Sequence, residues 1–376
     1  MDFTFTDEQT MLRESVGRYL AKNYAFEARQ AIVRSDRPFS AEVWRAFADF
    51  GLLALPFPED LDGLDGLGGS VVDLVSVGEL FGEHLVVEPY LSSILLAGRA
   101  LAEFGGHPKA GHWLGRLMAG EALAAFAHEE GTGTADPALV AARCTPTDGG
   151  YRLDGEKRLV LGGANADVLV VTARVGGEPG GRGGLALLVV EPGAPGVRIT
   201  PFTTLDGRSA AHIVFDAVEI TSDGCLTTDA HQAITRTLDD AVIVLSAEAV
   251  GAMGALLRQT SEYAAARRQF GVPIATFQTV AHRLADMKIA FTKARATLLY
   301  TAALAEAGRA GRREVSVLKA QVGRLGRTLA EAAVQTHGGI GMTDELAIGH
   351  YMKRLLAIDA MFGDSGYHYR VVGAGA

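Results

Sequence analysis

The chain has 376 residues, of which 48% are hydrophobic and 21% are charged, and such a composition can fill a large buried core in two or three domains. Its net charge of −9 and the lack of a basic stripe argue against a nucleic-acid partner. Cys144 and Cys225 lie far apart, no signal-peptide pattern is visible, and no uninterrupted apolar run approaches the roughly 20 residues that span a bilayer. We therefore expect a protein of the reduced cytoplasm without a disulfide framework, a membrane span or a metal site.

Residues 1–120 are predicted to form a helical domain. Thr6 can cap a helix, and Gln9, three residues later, can complete a capping box. Apolar residues then recur at helical spacing, which predicts further helices over Ala41–Phe50, Val71–Phe81 and Leu91–Phe104.

Residues 121–229 change to the pattern of a β domain. Short runs rich in branched residues are separated by Gly, Pro or Asp, which is typical of an antiparallel sheet of short strands. The predicted strands are Leu123–His128, Leu139–Arg143, Tyr151–Leu153, Val168–Thr172, Leu185–Val190, Val197–Thr200 and His212–Val218.

Residues 230–376 predict a second helical domain. Long apolar stripes are typical of an antiparallel helical bundle. They cover Ala230–Ala266, Phe277–Ala307, Val315–Thr336 and Glu345–Phe362. The predicted fold class is therefore mainly α with a central antiparallel β domain.

A basic and aromatic turn separates the first two of these long helices. Arg267 and Arg268 come at the end of one helix, and Gly271 and Pro273 stop it, because Gly tolerates a left-handed cap and Pro cannot continue a helix. Guanidinium groups match phosphate oxygens, and a turn adds backbone N–H donors. The turn is thus a candidate pyrophosphate site, and a solvated basic turn is the alternative.

The same turn resembles the C-terminal signature of the acyl-CoA dehydrogenase family of flavoproteins. Residues 263–278 match the pattern Tyr-x-x-x-Arg-x-Gln-Phe-Gly-x-x-Ile-x-x-Phe-Gln, and residues 335–341, Gln-Thr-His-Gly-Gly-Ile-Gly, resemble a second family signature. The resemblance covers essentially the whole chain. It implies an N-terminal helical domain, a β-barrel-like middle domain and a C-terminal four-helix bundle, with FAD as the cofactor and acyl-CoA thioesters as substrates.

The resemblance assigns the adenosine diphosphate end of FAD to two loops. The matching positions are Arg267, Gln269, Phe270, Gln278, Gln335, Gly338 and Gly339. In the family these loops reach the cofactor of a neighbouring subunit, which implies a homo- or hetero-oligomer built as a dimer of dimers. No Gly-x-Gly-x-x-Gly fingerprint lies between a strand and a helix, so a Rossmann-type cofactor site is not expected.

The resemblance places the flavin ring against the start of the β domain. Residues 128–134 stand where the family has a Thr-Glu-Pro-x-x-Gly-Ser run, and this assigns His128, Gly133 and Thr134 to the cofactor. His128 replaces the threonine and Glu130 replaces the proline. An ordinary strand-to-loop turn is the alternative interpretation.

The implied reaction needs a carboxylate that takes the α-proton while the β-hydride passes to flavin N5. Many family members carry this glutamate near the C-terminus, where Gly363 stands here. Glu248 is one substitute, because a branch of the family takes its base from the same helix, near Ala241; a buried ion pair with an arginine is the alternative. Asp364 is the other substitute, with a turn-capping role as its alternative.

The leading interpretation is an FAD-dependent acyl-CoA dehydrogenase with an electron-transfer flavoprotein as acceptor. The Gly363-Asp364 variation resembles the pimeloyl-CoA dehydrogenase small subunit and actinobacterial steroid side-chain enzymes, which implies a bulky, branched, dicarboxylic or steroid-derived acyl chain. Two alternatives stay open. One is a non-catalytic partner subunit that shares a cofactor, and the other is a flavin oxidase or monooxygenase on the same fold.

Overall fold

The computed structural model of the protein describes residues 6–131 and 135–374. Its α-helices are α1 (Asp7–Asn23), α2 (Phe26–Val33), α3 (Ala41–Asp49), α4 (Val71–Glu83), α5 (Arg99–Ala102), α6 (Pro108–Met118), α7 (His231–Ala266), α8 (Gln278–Glu306), α9 (Arg312–His337), α10 (Ala347–Ala360) and α11 (Ser365–Ala374). Its strands are β1 (Ala124–Ala127), β2 (Arg143–Thr147), β3 (Gly150–Leu161), β4 (Val168–Arg174), β5 (Leu185–Val190), β6 (Val197–Thr203), β7 (Ser209–Thr221), β8 (Cys225–Thr227), β9 (Arg268–Gln269) and β10 (Val272–Pro273). The predicted order of helices, sheet and helices is confirmed.

The first helix begins at the predicted capping box. The Thr6 hydroxyl accepts a hydrogen bond from the Gln9 N–H at 3.2 Å, and the Gln9 side chain accepts one from the Thr6 N–H at 3.0 Å. Two N–H groups that the helix leaves without a partner are satisfied in this way.

The helix predicted over Leu91–Phe104 has a different form. Residues Tyr90–Gly98 are a π-helix, and α5 follows it directly. In the π-helix, the Ser93 hydroxyl donates to the Ala124 carbonyl at 2.9 Å and accepts from the Ala124 N–H at 3.0 Å. This exchange fixes the start of β1, the strand that leads to His128.

The main sheet has eight strands in the order β6-β7-β3-β2-β4-β5-β8, and β1 pairs with β4. The pairs β2–β3, β3–β7, β4–β5, β5–β8 and β6–β7 are antiparallel, as predicted. The sheet is mixed, however, because β4 runs parallel to β1 and meets β2 in parallel at one residue pair. Both β4 and β5 are buried along their whole length. The sequence of β5 is apolar throughout and that of β4 is apolar over its first four residues, as expected for strands covered on both faces.

The strand predicted over Leu139–Arg143 begins only at Arg143, because side chains satisfy the backbone of the preceding residues. The buried Arg174 guanidinium donates to the carbonyls of Ala138 at 2.7 Å and Val140 at 3.1 Å. The Glu130 carboxylate accepts from the next two N–H groups, at 2.7 and 3.0 Å. With these partners the segment needs no neighbouring strand.

The described chain divides into two compact units. The first contains the residues up to Ala31, Ser70–Val86 and the residues from Val242 onward, and the second contains Ile32–Gly69 and Val87–Ala241. In the first unit α9 packs against α8, α10 and α11. The last of these helices was not predicted from the sequence.

Two glycines set the close packing of α4 against α7 within the first unit. A Cβ atom on Gly82 would lie 1.8 Å from the Glu248 carbonyl oxygen, and one on Gly251 would lie 1.8 Å from that of Glu79. Any larger residue would push the two helices apart. The backbone that carries Glu248 is therefore held firmly against α4.

Among the described residues, α7 is one helix that is long and apolar enough by composition to cross a membrane. However, 78% of its most apolar window is buried inside the fold, as in the core helix of a globular domain.

Candidate functional site

The basic and aromatic turn forms a tight hairpin at the surface of the first unit. Gln269 of β9 pairs with Val272 of β10, so that Phe270 and Gly271 make a two-residue loop. Both have positive φ, 52° and 85°, as a type I′ turn requires. Asn and Gly adopt this conformation readily, whereas a bulky residue is strained in it.

Phe270 is therefore an outlier in two respects. Its side chain is 94% exposed, and its ring makes only an edge contact with Phe277, at 6.2 Å between centroids. Neither burial nor backbone preference explains a phenylalanine here. Backbone strain at an exposed residue often accompanies a functional contact, so Phe270 is a candidate for contact with a ligand or another chain.

The side chain of Arg267 makes no hydrogen bond or ion pair within residues 6–131 and 135–374, and it lies exposed at the end of α7. Its neighbour Arg268 instead donates to the Gly271 carbonyl at 3.1 Å and braces the hairpin. Gln269 and Gln278 are also exposed. The guanidinium of Arg267 is thus available for an anion.

The second predicted cofactor loop follows α9. Gln335, Gly338 and Gly339 are all exposed, and Gly338 has φ 69°. A Cβ atom on Gly338 or Gly339 would meet nothing within 4 Å. A large group can therefore approach this backbone closely.

Tyr263 and His337 hold the two loops together. Their rings stack with centroids 4.3 Å apart and planes 25° from parallel. The His337 ring is buried, and Nδ1–H donates to the Ala333 carbonyl at 2.9 Å. The end of α7 and the end of α9 are thus joined, a relationship that the sequence did not reveal.

Glu248 forms a buried ion pair with Arg354 of α10. Arg354 Nε donates to Oε1 at 2.7 Å and Nη2 donates to Oε2 at 2.6 Å. Glu248 and Arg354 are 7% and 2% exposed. Both carboxylate oxygens are engaged, which is the alternative that the sequence left open for this residue.

Asp364 lies at the start of α11. Its carboxylate accepts a hydrogen bond from the Tyr367 N–H at 2.6 Å and caps the helix. A capping role was the alternative to the catalytic role that the sequence suggested for Asp364. The buried Lys319 stabilises the turn that precedes α11. Its ammonium donates to the carbonyls of Asp359 at 2.9 Å and Gly363 at 2.8 Å. Burial lowers the pKa of Lys319 to about 8.

His128 lies at the end of β1 in the second unit. Its ring is buried, stacks on Phe126 at 5.5 Å, and places Nδ1 3.0 Å from the Thr172 hydroxyl. Burial and the nearby Lys157 ammonium lower the pKa of His128 to about 3, so the ring is neutral at ordinary pH. The other two residues predicted to lie against the flavin ring, Gly133 and Thr134, are outside the described residues.

Glu129, which matches the glutamate of the Thr-Glu-Pro run that the family has at residues 128–134, carries a half-buried carboxylate. Burial raises its pKa, with Lys157 acting in the opposite direction. Its side chain makes no hydrogen bond within the part of the chain that the structure describes. Only the fold reveals this environment, because Lys157 lies on a different strand, distant from Glu129 in sequence.

Comparison with known proteins identifies the fold family. Residues 6–121, 125–218 and 231–376 match the N-terminal, middle and C-terminal domains of acyl-CoA dehydrogenases. The probable acyl-CoA dehydrogenase YngJ of Bacillus subtilis is 28% identical over 94% of this chain and 93% of its own length.

Two solved complexes are also similar. The ChsE4-ChsE5 complex from Mycobacterium tuberculosis is 27% identical with a TM-score of 0.89, over 100% of this chain and 98% of the matched chain. The G363A variant of a steroid acyl-CoA dehydrogenase, Tcur3481-Tcur3483, is 27% identical with a TM-score of 0.85, over 98% of this chain and 97% of the other. The chain belongs to the acyl-CoA dehydrogenase family of oxidoreductases.

Proposed function

We propose that the chain carries out the FAD-dependent α,β-dehydrogenation of an acyl-CoA thioester. The observation that carries the proposal is the hairpin at Phe270. An unpaired Arg267 and a strained, exposed Phe270 occupy the positions of the family's cofactor signature. A turn selected only for stability would carry Asn or Gly in place of Phe270.

The residues present fit the cofactor. Arg267 offers guanidinium donors to a pyrophosphate, and the open backbone at Gly338 and Gly339 leaves room for the adenosine diphosphate. His128 would offer the flavin ring an imidazole nitrogen as a hydrogen-bonding group. When bound, FAD supplies the acceptor for the substrate's β-hydride.

The chain's own catalytic task is to remove the α-proton of the thioester. Glu248 is our proposed base, and its side chain sits in a buried environment where a carboxylate is shielded from water. The Arg354 guanidinium orients both of its oxygens. Uptake of a proton neutralises the Glu248 carboxylate and so weakens its ion pair with Arg354, and the bound thioester has to compensate for this lost attraction.

The same ion pair favours a second candidate function. If Glu248 stays paired and Asp364 stays a helix cap, neither carboxylate can act as a base. The chain would then supply its cofactor loops to a catalytic partner subunit. The similar structures ChsE4-ChsE5 and Tcur3481-Tcur3483 support this second function, since each has two named components.

The same comparisons support a proposal for the substrate class and the partners. The Gly363-Asp364 variation and the likeness to a steroid enzyme support a bulky, branched, dicarboxylic or steroid-derived acyl chain. We propose an oligomer in which the Phe270 hairpin contacts a neighbouring subunit, with an electron-transfer flavoprotein as acceptor, in the reduced cytoplasm.

The test is to purify the chain alone and together with candidate second subunits, and to measure bound flavin. Flavin bound by the chain alone, and bleached anaerobically by an acyl-CoA, supports the dehydrogenase. Flavin that is bound only with a second chain, and is bleached when Glu248 is changed to Gln, supports the cofactor-sharing subunit. A protein that retains no flavin in either form contradicts both, and rapid reaction of the reduced flavin with oxygen indicates an oxidase.

A further inference from the structure

A buried polar network lies beneath the end of β1. The Lys157 side chain is fully buried, and its ammonium has three acceptors: Glu130 Oε1 at 2.8 Å, Thr172 Oγ1 at 3.1 Å and the His128 carbonyl at 3.2 Å. The three N–H bonds of an ammonium group are thus all used. Because an ammonium can only donate, the Thr172 hydroxyl must accept from Lys157.

The position of the Thr172 proton then follows by elimination. Thr172 is fully buried, so water does not reach its hydroxyl. Within residues 6–131 and 135–374, its remaining hydrogen-bond neighbour is His128 Nδ1, at 3.0 Å. A buried hydroxyl proton without an acceptor is costly, so Thr172 donates to Nδ1.

This assignment fixes the tautomer of His128. An Nδ1 atom that accepts a hydrogen bond carries no proton, so the ring proton is on Nε2. In the described part of the chain Nε2 makes no hydrogen bond, and His128 keeps 7% of its surface accessible. Since burial and the Lys157 charge keep the ring neutral, it offers a single N–H donor.

We propose that Lys157 and Thr172 are positioning residues that hold His128 as its Nε2–H tautomer, so that its ring presents a hydrogen-bond donor to the bound flavin. The contact between His128 and flavin rests on the proposed function, whereas the assignment of the His128 tautomer is independent of it. His128 stands where the family usually has a threonine. The imidazole N–H would take over the role of a hydroxyl donor at that position.

The effect on the cofactor follows from charge. Reduction makes a flavin ring richer in electrons, and a fixed donor at its edge stabilises that form. Loss of the donor should therefore lower the midpoint potential of the flavin. A purely structural role for His128 would change stability without moving the potential.

The tautomer is tested first, in the protein without cofactor, by NMR after selective labelling of histidine with nitrogen-15. The two-bond couplings distinguish the protonated from the unprotonated ring nitrogen, and His128→Phe assigns the signal. We expect His128 to be entirely in the Nε2–H form, and Thr172→Val to lose this single state. Thr260→Val is the matched control, because Thr260 is equally buried but donates to its own helix at Leu256. A wild-type ring protonated on Nδ1, or a Thr172→Val spectrum like the wild type, overturns the inference whether or not the protein binds flavin.

The contact with flavin is tested by redox titration of the protein reconstituted with FAD. His128→Phe keeps an aromatic ring over Phe126 but has no donor, and we expect a lower midpoint potential. His128→Gln restores an N–H donor, and we expect a potential close to that of the wild type. Equal potentials in all three proteins would overturn the flavin contact. Failure of the wild type to bind FAD would instead count against the proposed function and leave the NMR result to stand.

Discussion

Glu248 and Arg354 form a two-point ion pair between α7 and α10, with N–O distances of 2.7 and 2.6 Å and almost no exposure to solvent. Removal of one member leaves the other charge buried without its partner. Such a loss typically costs about 3–5 kcal/mol. The pair is therefore important for stability whether or not Glu248 is the base.

We predict that Glu248→Gln lowers the free energy of unfolding by about 3–5 kcal/mol and, in an active holoenzyme, lowers turnover by several orders of magnitude. Urea unfolding and steady-state kinetics measure the two effects. Glu262→Gln is the control, since Glu262 is an exposed glutamate on the same helix. Normal turnover in a folded Glu248→Gln protein would exclude Glu248 as the base.

The double variant Glu248→Gln/Arg354→Gln separates structure from chemistry. Because it leaves no unpaired buried charge, we expect it to recover part of the stability lost by Glu248→Gln alone. Its turnover should stay as low as that of the single variant. Recovered turnover together with recovered stability would mean that Glu248 acts only through the fold.

Arg267→Ala should weaken FAD binding by about 10- to 100-fold, the expected loss for a charge-assisted hydrogen bond of about 1.5–3 kcal/mol. The measurement is the dissociation constant of FAD from the apoprotein. Arg268→Ala is a close control, because Arg268 braces the hairpin through the Gly271 carbonyl. Equal losses in both variants would indicate that hairpin geometry, and not the Arg267 charge, is what matters.

Phe270→Asn should leave the isolated chain equally stable or about 1 kcal/mol more stable, because Asn tolerates a φ of 52° better than Phe does. It should also weaken subunit association, which analytical ultracentrifugation measures. Met11→Asn removes another exposed apolar side chain, 68% accessible on α1, and should leave association unchanged. Unaltered association of Phe270→Asn would remove the hairpin from the proposed interface.

The helices of the N- and C-terminal domains were predicted from the sequence more accurately than the strands of the sheet. The Thr6–Gln9 capping box is purely local, and the structure confirms it. The segment 139–142 reads as a strand, yet Arg174 and Glu130 satisfy its backbone from positions distant in sequence. No local pattern contains that information.

In the candidate site, too, local motifs were predictable from the sequence and tertiary contacts were not. The signature around Phe270 was visible as a motif, but the stack of Tyr263 on His337 joins helix ends more than 70 residues apart in sequence. The partner of Glu248 was likewise hidden, because Arg354 lies 106 residues away. Local spacing located the loops, and only tertiary packing showed what each side chain contacts.

Acid should destabilise the protein through two buried histidines. Burial is the main cause that lowers the pKa of His128 to about 3 and that of His368 to about 4, from 6.5 in the unfolded chain. The unfolded chain therefore binds more protons between pH 6.5 and 4, so stability is fully present above pH 6.5 and falls as the pH drops. Each histidine contributes up to about 1.4 kcal/mol per pH unit.

Urea unfolding at several pH values checks this prediction. In His368→Gln the loss of stability between pH 6.5 and 4 should be smaller than in the wild type, because one of the two groups no longer takes up a proton. The exposed His282, changed to Gln, is the control. An equally steep loss in His368→Gln and the wild type would exclude a contribution from His368.

The most direct test of the account is an anaerobic titration of the FAD-loaded protein, with its second subunit if one is required, by a panel of acyl-CoA thioesters. We predict that a bulky or steroid-derived acyl-CoA bleaches the long-wavelength flavin absorbance of the wild type and leaves that of Glu248→Gln unchanged. Equal bleaching of the two proteins, or no bleaching by any thioester, would contradict the claim that this chain removes the α-proton of an acyl-CoA.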